Sequence, residues 1–177
     1  MANVLEKIVA DTRIRIDELK QVKPLSSFKD DLKPSERCLY ESMGKKDAGF
    51  ILECKKASPS KGLIRDVFNI DEIADTYRKY AAGISVLTDE KYFQGKYEYL
   101  EQVTRNATCP VLNKDFFVDT YQVYLARYYG ADAILLMLSV LSDEEYKELA
   151  TVADSLELSI LTEISNDEER ERAVALG

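Results

Sequence analysis

The sequence predicts an α/β fold built on a parallel sheet, and two observations support this prediction. From residue 48 onward, short apolar runs recur along the chain, and each is followed by polar residues and then by a helical pattern. Four of the five helical patterns also open with a helix-capping signature. Strands that alternate with helices of about 10 to 15 residues indicate βα units around a parallel sheet. The apolar runs occupy residues 49–54, 83–87, 109–112, 131–138 and 158–164.

Capping signatures and glycines mark the predicted helix ends. In each signature a short polar residue is followed three positions later by Glu or Gln, which can satisfy the first backbone N–H groups of a helix. Gly83 and Gly130 stand at helix–strand junctions, where a C-terminal capping glycine is common. The four signatures are Asn69 with Glu72, Asp119 with Gln122, Ser142 with Glu145, and Ser165 with Glu168.

The residues ahead of the first strand predict a helical extension. Residues 4–22 carry apolar side chains at roughly helical spacing on a charged background. Pro24 ends this pattern, and the following segment is polar and interrupted by Pro34 and Gly44. We therefore predict an N-terminal helical extension over residues 1–47 and a strand-containing domain over residues 48–177.

The composition predicts one cytoplasmic domain and excludes several kinds of site. The chain has 177 residues, of which 46% are hydrophobic, and this is enough for a packed core. It has no histidine, which removes Ser-His-Asp and Cys-His nucleophilic sites and histidine ligation of zinc or haem. Its net charge of -8 argues against nucleic acid as a partner. Three cysteines without a CxxC pair indicate a reducing compartment, and the longest apolar run is too short to cross a membrane.

Alternation along the strands predicts a cluster of four charged side chains. Glu53 and Lys55 share one face of the first strand, whereas Cys54 points toward the helix layer. Lys114 and Glu163 stand at the carboxyl ends of the third and fifth strands, the end at which parallel α/β proteins hold their active sites. Lysines and carboxylates in a shielded pocket can exchange protons without histidine. Ordinary ion pairs at strand ends would produce the same pattern.

The loop after the first strand is basic in an otherwise acidic protein. Residues 55–62 contain three lysines, two serines and a glycine, a composition that suits a phosphate or carboxylate ligand. Surface loops of this composition are also common without a ligand. Further charged residues near the strand ends are expected to pair with one another, and these are Asp89, Glu90, Lys91 and Asp115.

The length leaves two α/β architectures open. A (β/α)₈ barrel takes about 250 residues, so five units of about 25 residues would need three more. On length alone the chain equally fits a complete five-stranded doubly wound domain. The charged residues at the strand ends favour the first alternative, a (β/α)₈ TIM barrel truncated after the fifth βα unit.

Five segments resemble the strand motifs of the indole-3-glycerol-phosphate synthase family. The two longest resemble the first and second strands of that family and read FILECKKASPSKG over 50–62 and ISVLTDEKYFQG over 84–95. Shorter segments fit the third, fourth and fifth strands and read LNKDF over 112–116, ADAILLML over 131–138 and LTEI over 161–164. The resemblance covers essentially the whole chain, including the helical extension. It is closest to the bifunctional bacterial form that also carries phosphoribosylanthranilate isomerase.

The resemblance implies a lyase of tryptophan biosynthesis that needs no metal or redox cofactor. Such an enzyme closes the indole ring of 1-(2-carboxyphenylamino)-1-deoxyribulose 5-phosphate with loss of carbon dioxide and water. By resemblance, Lys114 is the general acid that protonates the ketone oxygen, and Glu163 is the general base in dehydration and re-aromatisation. Lys55 holds the anthranilate carboxylate and assists dehydration. Glu53 positions and tunes Lys55 and helps to bind the intermediate, and Ser58 contacts the phosphate.

The resemblance also concerns the apolar pocket, the rest of the barrel and the partners of the chain. It implies that Phe93, Phe116 and Leu135 line the pocket for the aromatic ring, although the pattern alone fits core packing as well. The family's sixth to eighth strands have no counterpart here, so we expect little or no synthase activity from the isolated 177 residues. The resemblance also implies an isomerase domain that follows in the full-length protein.

Two alternatives remain beside this interpretation. A half-barrel that folds without catalysing could self-associate through its open edges, since unpaired strands and apolar helix faces would be exposed. Another phosphate-handling α/β enzyme could use the same carboxylates and lysines for a different reaction.

Overall fold

A five-stranded parallel sheet forms the centre of the chain, as the alternating pattern predicts. The computed structural model describes residues 4–45 and 48–177. The main sheet has the order β1-β4-β5-β6-β7, and β2 and β3 form a small antiparallel hairpin. The strands are β1 (Ile51–Cys54), β2 (Ala57–Ser58), β3 (Gly62–Leu63), β4 (Gly83–Leu87), β5 (Val111–Lys114), β6 (Ala133–Met137) and β7 (Ser159–Glu163).

Eight α-helices and two short 3₁₀ turns surround the sheet in the part of the chain that the structure describes. One turn covers Leu25–Ser27 and the other covers Lys29–Asp31. The helices are α1 (Val4–Val22), α2 (Leu39–Gly44), α3 (Ile70–Tyr77), α4 (Glu90–Phe93), α5 (Tyr97–Arg105), α6 (Thr120–Tyr128), α7 (Asp143–Ser155) and α8 (Asp167–Leu176). Between residues 4 and 177, with 46 and 47 left out, none of these helices is long and apolar enough to cross a membrane.

The first predicted helix has the bounds that the sequence indicates. Helix α1 ends at Val22, two residues before Pro24, and its buried Ile16 belongs to the main core. It packs against α6, so the extension is joined closely to the βα units. The predicted boundary at residue 47 lies outside the described residues, and the division into two segments stays a prediction.

Three of the four capping signatures begin a helix at the predicted residue. The side chains of Asn69 and Asp119 accept hydrogen bonds from backbone N–H groups at the starts of α3 and α6. Ser142 forms a complete capping box at the start of α7. The fourth prediction is wrong by one residue, because Asn166 rather than Ser165 is the N-cap of α8. Ser165 instead donates its backbone N–H to the Glu169 carboxylate, so a second polar residue beside it takes the cap.

The two junction glycines have different roles. Gly130 follows α6 with φ of 88°, the left-handed conformation expected after a helix. Gly83 is not a helix cap, since it begins β4 and is buried there. A Cβ atom at this position would lie 2.6 Å from the Cδ1 atom of Leu39. The absence of a side chain at Gly83 therefore allows α2 to pack close beneath the sheet.

The two faces of the sheet bury different clusters, as the strand alternation predicts. Cys54 is buried in the large core between the sheet and the helices. A smaller cluster forms on the opposite face at the amino ends of the strands, where Leu39 packs with Leu112 and Ala133. Lys114 and Glu163 stand at the other, carboxyl ends of β5 and β7.

A buried carboxylate joins the extension to the base of the sheet. The side chain of Asp132 is 1% exposed. Its Oδ2 atom accepts hydrogen bonds from Arg37 Nε at 2.8 Å and from the backbone N–H of Val111 at 2.9 Å. Ser35 Oγ donates to the Oδ1 atom at 2.8 Å. Asp132 therefore connects the extension and two neighbouring strands through one side chain.

Replacing Asp132 by Asn is expected to lower the free energy of unfolding by about 3 kcal/mol, because Arg37 would lose a buried anionic partner. Urea denaturation of the two proteins measures this difference. The matched control is Glu101→Gln, which breaks an exposed ion pair with Arg105 and is expected to cost less than about 0.5 kcal/mol. Equal losses of unfolding free energy in the two variants would contradict the role of Asp132 as the buried anionic partner of Arg37.

Candidate active site

Glu53 of β1 links Lys55, which follows the same strand, to Lys114 of β5. Lys55 donates a hydrogen bond to one carboxylate oxygen of Glu53. The Nζ atom of Lys114, at the end of β5, lies 3.1 Å from the other oxygen. Strand β4 lies between β1 and β5, so this contact reaches across one strand. The predicted grouping of Glu53, Lys55 and Lys114 at one end of the sheet is therefore present.

The two lysines favour the ionised form of Glu53. Burial disfavours the charge on this carboxylate, but the hydrogen bond from Lys55 and the charge of Lys114 outweigh burial. The pKa of Glu53 is consequently lowered from its ordinary value of 4.5. Glu53 is thus a carboxylate at neutral pH, able to hold both ammonium groups in place.

Glu163 approaches the same pocket from the far strand of the sheet. It ends β7, where its backbone pairs with Met137 of β6. The residue is exposed, and its side chain makes no hydrogen bond or ion pair with any other residue in 4–45 or 48–177. Its carboxylate is therefore accessible to a ligand, in contrast to that of Glu53.

Apolar side chains form part of the wall of this pocket. Phe93, the last residue of α4, faces Phe116 with ring centroids 6.2 Å apart. Leu135 of β6 lies among the lining residues. The pocket has a volume of about 200 Å³ and is lined by Glu53, Lys55, Leu87, Asp89, Phe93, Lys114, Asp115, Phe116, Leu135, Met137 and Glu163.

Ser58 is the predicted site residue that does not line this pocket. It belongs to the β2–β3 hairpin, a short element that the sequence presents only as a basic loop. Its Oγ atom accepts a hydrogen bond from the backbone N–H of Lys61 at 3.3 Å. The hairpin follows β1 directly, so Ser58 stands on the segment adjacent to Lys55.

Asp89 is a pocket residue whose position the motif analysis missed. Its carboxylate accepts hydrogen bonds from the backbone N–H groups of Tyr92 at 2.7 Å and Phe93 at 3.3 Å. Asp89 therefore caps α4 and orients Phe93. Burial raises the pKa of Asp89. The spacing of Asp89 three residues before Tyr92 is the N-cap spacing that identified other helices. The absence of Glu or Gln at the third position left it unnoticed.

The charged residues near the strand ends do not pair with one another as predicted. Lys91 forms an ion pair with Asp11 at 2.7 Å, and the partner of Asp115 is Arg15 at 2.9 Å. Both partners come from α1, far away in sequence. The prediction failed because local spacing carries no information about a helix that returns from the extension.

No group of three or more His, Cys, Asp or Glu side chains suited to a metal ion occurs in residues 4–45 and 48–177. The described pocket instead combines two ammonium groups, carboxylates and an apolar wall. Such a site can bind an anion through the lysines, bury an aromatic ring and move protons between lysine and carboxylate.

A parallel α/β sheet with charged side chains at the carboxyl ends of its strands has the arrangement of α/β enzymes, which include both barrels and open sheets. A sequence model described as "Indole-3-glycerol phosphate synthase" matches residues 5–177. The chain belongs to the indole-3-glycerol phosphate synthase family.

Curated relatives are similar over the whole of this chain. The "Tryptophan biosynthesis protein TrpCF" of Salmonella typhi is 59% identical over 177 residues, which are 100% of this chain and 39% of that protein. The protein of the same name from Vibrio parahaemolyticus is 60% identical over 100% of this chain and 37% of its own length. The chain thus spans less than two fifths of these two relatives.

A solved structure gives a more distant likeness. "N-(5'-phosphoribosyl)anthranilate isomerase from Pyrococcus furiosus" aligns with a TM-score of 0.46 and 16% identity over 72% of this chain and 60% of that chain. A likeness at this level supports no argument about fold or function.

Proposed function

We propose that the native protein has indole-3-glycerol phosphate synthase activity and that this chain supplies part of its active site. The reaction closes the indole ring of 1-(2-carboxyphenylamino)-1-deoxyribulose 5-phosphate and releases carbon dioxide and water, as a step of tryptophan biosynthesis. Family membership supports the assignment. The observation that carries it is the Glu53 carboxylate between Lys55 and Lys114 beside an aromatic wall, because this combination suits an anionic aromatic substrate.

Proton transfer is assigned to two residues that line the pocket. Lys114 is the general acid that protonates the substrate's ketone oxygen as the ring carbon attacks. Its contact with Glu53 supports this role, since the carboxylate holds the ammonium group in a fixed position. Glu163 is the general base in the later dehydration and re-aromatisation. The exposure of Glu163 to the pocket supports this second role.

The remaining residues bind and orient the substrate. Lys55 holds the anthranilate carboxylate and assists dehydration, and Glu53 positions Lys55 and contacts the intermediate. Phe93, Phe116 and Leu135 enclose the aromatic ring; their place in the pocket wall supports this assignment. Ser58, on the hairpin beside Lys55, contacts the phosphate in this proposal.

The sheet itself is proposed to be the first five strands of an eight-stranded barrel. The strands are parallel and follow one another in sequence order across the sheet, apart from the small β2–β3 hairpin. Among the described residues, β1 and β7 each pair on one side only. A (β/α)₈ barrel would fill both edges with its remaining strands. In this proposal, an N-terminal helical extension over residues 1–47 precedes the first strand of the barrel.

We extend the proposal to a phosphoribosylanthranilate isomerase domain in the same native protein. The family resemblance is closest to the bifunctional form, and the relatives named TrpCF are much longer than this chain. Intact-mass measurement of the native gene product tests this extension, and a mass with no room for a second domain would contradict it.

An assay of two proteins tests the proposed function. The intact product of the native gene is expected to convert the carboxyphenylamino-deoxyribulose phosphate to a fluorescent indole product. The isolated 177-residue chain is expected to be at least about 100-fold slower, because an incomplete site positions the substrate poorly. No turnover by the folded intact product would contradict the function. Equal turnover by the isolated chain would contradict the need for further strands.

The outer edges of β1 and β7 have no partner strand within residues 4–45 and 48–177, and this favours one alternative, a non-catalytic half-barrel that assembles with a second copy. Light scattering on the isolated chain distinguishes the two cases. A monodisperse oligomer, together with an inactive intact product, would favour assembly over catalysis.

A further inference from the structure

Arg15 of α1 reaches from the helical extension to the carboxyl end of β5. Its Nη2 atom lies 2.9 Å from each carboxylate oxygen of Asp115, and its Nη1 atom lies 3.5 Å from the backbone carbonyl of Thr88. The Asp115 side chain is 0% exposed and that of Arg15 is 20% exposed. Charge-assisted hydrogen bonds of this kind are shorter and stronger than neutral ones. The extension is therefore fixed to the strand end at one buried point.

Asp115 lies between two pocket residues, and its remaining hydrogen bonds fix the chain on both sides. Its Oδ1 atom accepts the backbone N–H of Phe116 at 2.8 Å. Thr88 Oγ1 donates to the Oδ2 atom at 2.7 Å and itself accepts from Asn113 Nδ2 at 2.8 Å. The backbone N–H of Thr88 donates to the carbonyl of Lys114 at 3.2 Å. These hydrogen bonds hold the backbone N–H of Phe116 and the backbone carbonyl of Lys114.

The charged side chains of Arg15 and Asp115 form one buried ion pair. Burial opposes the charge of the guanidinium, yet the neighbouring Asp115 carboxylate raises the pKa of Arg15 above its ordinary value. Without Arg15, the buried Asp115 carboxylate would lose its ion-pair partner. An uncompensated buried charge is costly, and the strand end would shift to hydrate it.

We propose that Arg15 is a positioning residue for ring closure, which holds Lys114 and Phe116 in their reactive places by anchoring the Asp115 carboxylate between them. The inference rests on the proposed function and adds a residue that neither the motifs nor the pocket lining contains. Arg15 does not touch the substrate. It acts through Asp115 and the backbone at the ends of β4 and β5.

Three variants of the intact native protein test this role. Arg15→Ala is expected to lower kcat by about 10- to 100-fold, because small displacements of a catalytic group have large effects, while KM changes by less than about threefold. Arg15→Lys keeps the positive charge but has no second nitrogen to reach the Thr88 carbonyl. Its kcat is expected to lie between those of the parent and Arg15→Ala. The matched control Arg13→Ala removes an exposed ion pair to Glu145 from the same helix and is expected to leave kcat unchanged.

A double-mutant cycle separates positioning from a general loss of stability. In a Lys114→Met background, Arg15→Ala is expected to cause a clearly smaller fold-decrease in kcat than in the parent, because one of the two groups that it positions is absent. A merely structural role would give the same fold-decrease in both backgrounds, and this result would overturn the proposal. Unchanged kcat in folded Arg15→Lys and Arg15→Ala would overturn it as well.

A crystal structure of the Arg15→Lys variant gives a readout that does not depend on turnover. The Lys114–Glu53 contact of 3.1 Å is expected to lengthen beyond hydrogen-bond distance or to become disordered. An unchanged contact would contradict positioning even if activity fell. An inactive parent protein would instead contradict the proposed function, and the crystal structure would still decide whether Arg15 positions Lys114.

Discussion

Replacing Lys114 by Met in the intact native protein is expected to lower kcat for ring closure by about 10³-fold, with the fold unchanged. Met has a similar length but cannot donate a proton, so the developing charge on the ketone oxygen would lose its acid. The contact of Lys114 Nζ with Glu53 at 3.1 Å holds this ammonium group at the pocket in the parent protein. Steady-state assays that follow indole fluorescence measure the change.

The matched control for this experiment is Lys147→Met on the exposed face of α7, which is expected to retain full activity. A decrease of less than about tenfold in Lys114→Met would contradict the assignment of Lys114 as general acid. Such a result would favour the interpretation of the Glu53–Lys114 contact as an ordinary ion pair at the strand ends.

Glu163→Gln is expected to lower the rate of product formation by about 10³-fold, but at a later stage than Lys114→Met. The amide has nearly the same shape and cannot accept the proton that dehydration and re-aromatisation release. Ring closure and decarboxylation would therefore still proceed. A single-turnover experiment is expected to show rapid release of carbon dioxide followed by slow appearance of indole fluorescence.

The control for Glu163→Gln is Glu168→Gln, which changes an exposed carboxylate in the first turn of α8. It is expected to leave both phases unchanged. If carbon dioxide release and indole formation slow together in Glu163→Gln, Glu163 acts before or during ring closure, and its assignment as the late base is wrong.

Most of the fold and much of the pocket could be predicted from the sequence because they depend on local periodicity. Two-residue alternation alone places Glu53 of β1 and the following Lys55 on one side and Cys54 on the other. Parallel strands then bring their carboxyl ends together, so the proximity of Lys114 to Glu53 follows from the fold class.

Contacts between segments that are distant in sequence could not be predicted from the sequence. Arg15 and Asp115 are 100 positions apart, and no spacing rule relates a residue of the extension to a strand end. The close packing of Leu39 against Gly83 belongs to the same class. Because this contact is not visible in the sequence, Gly83 was wrongly interpreted as a helix cap. Two adjacent polar residues, Ser165 and Asn166, made the start of α8 ambiguous by one position.

A crystal structure of the intact native protein with bound indole-3-glycerol phosphate tests the central claim most directly. The account predicts that the indole ring lies between Phe93 and Phe116, and that Lys114 Nζ lies within about 3.2 Å of an oxygen of the glycerol chain. Glu163 is expected on the opposite side of the ring. Product bound elsewhere, with none of these side chains in contact with it, would contradict the account.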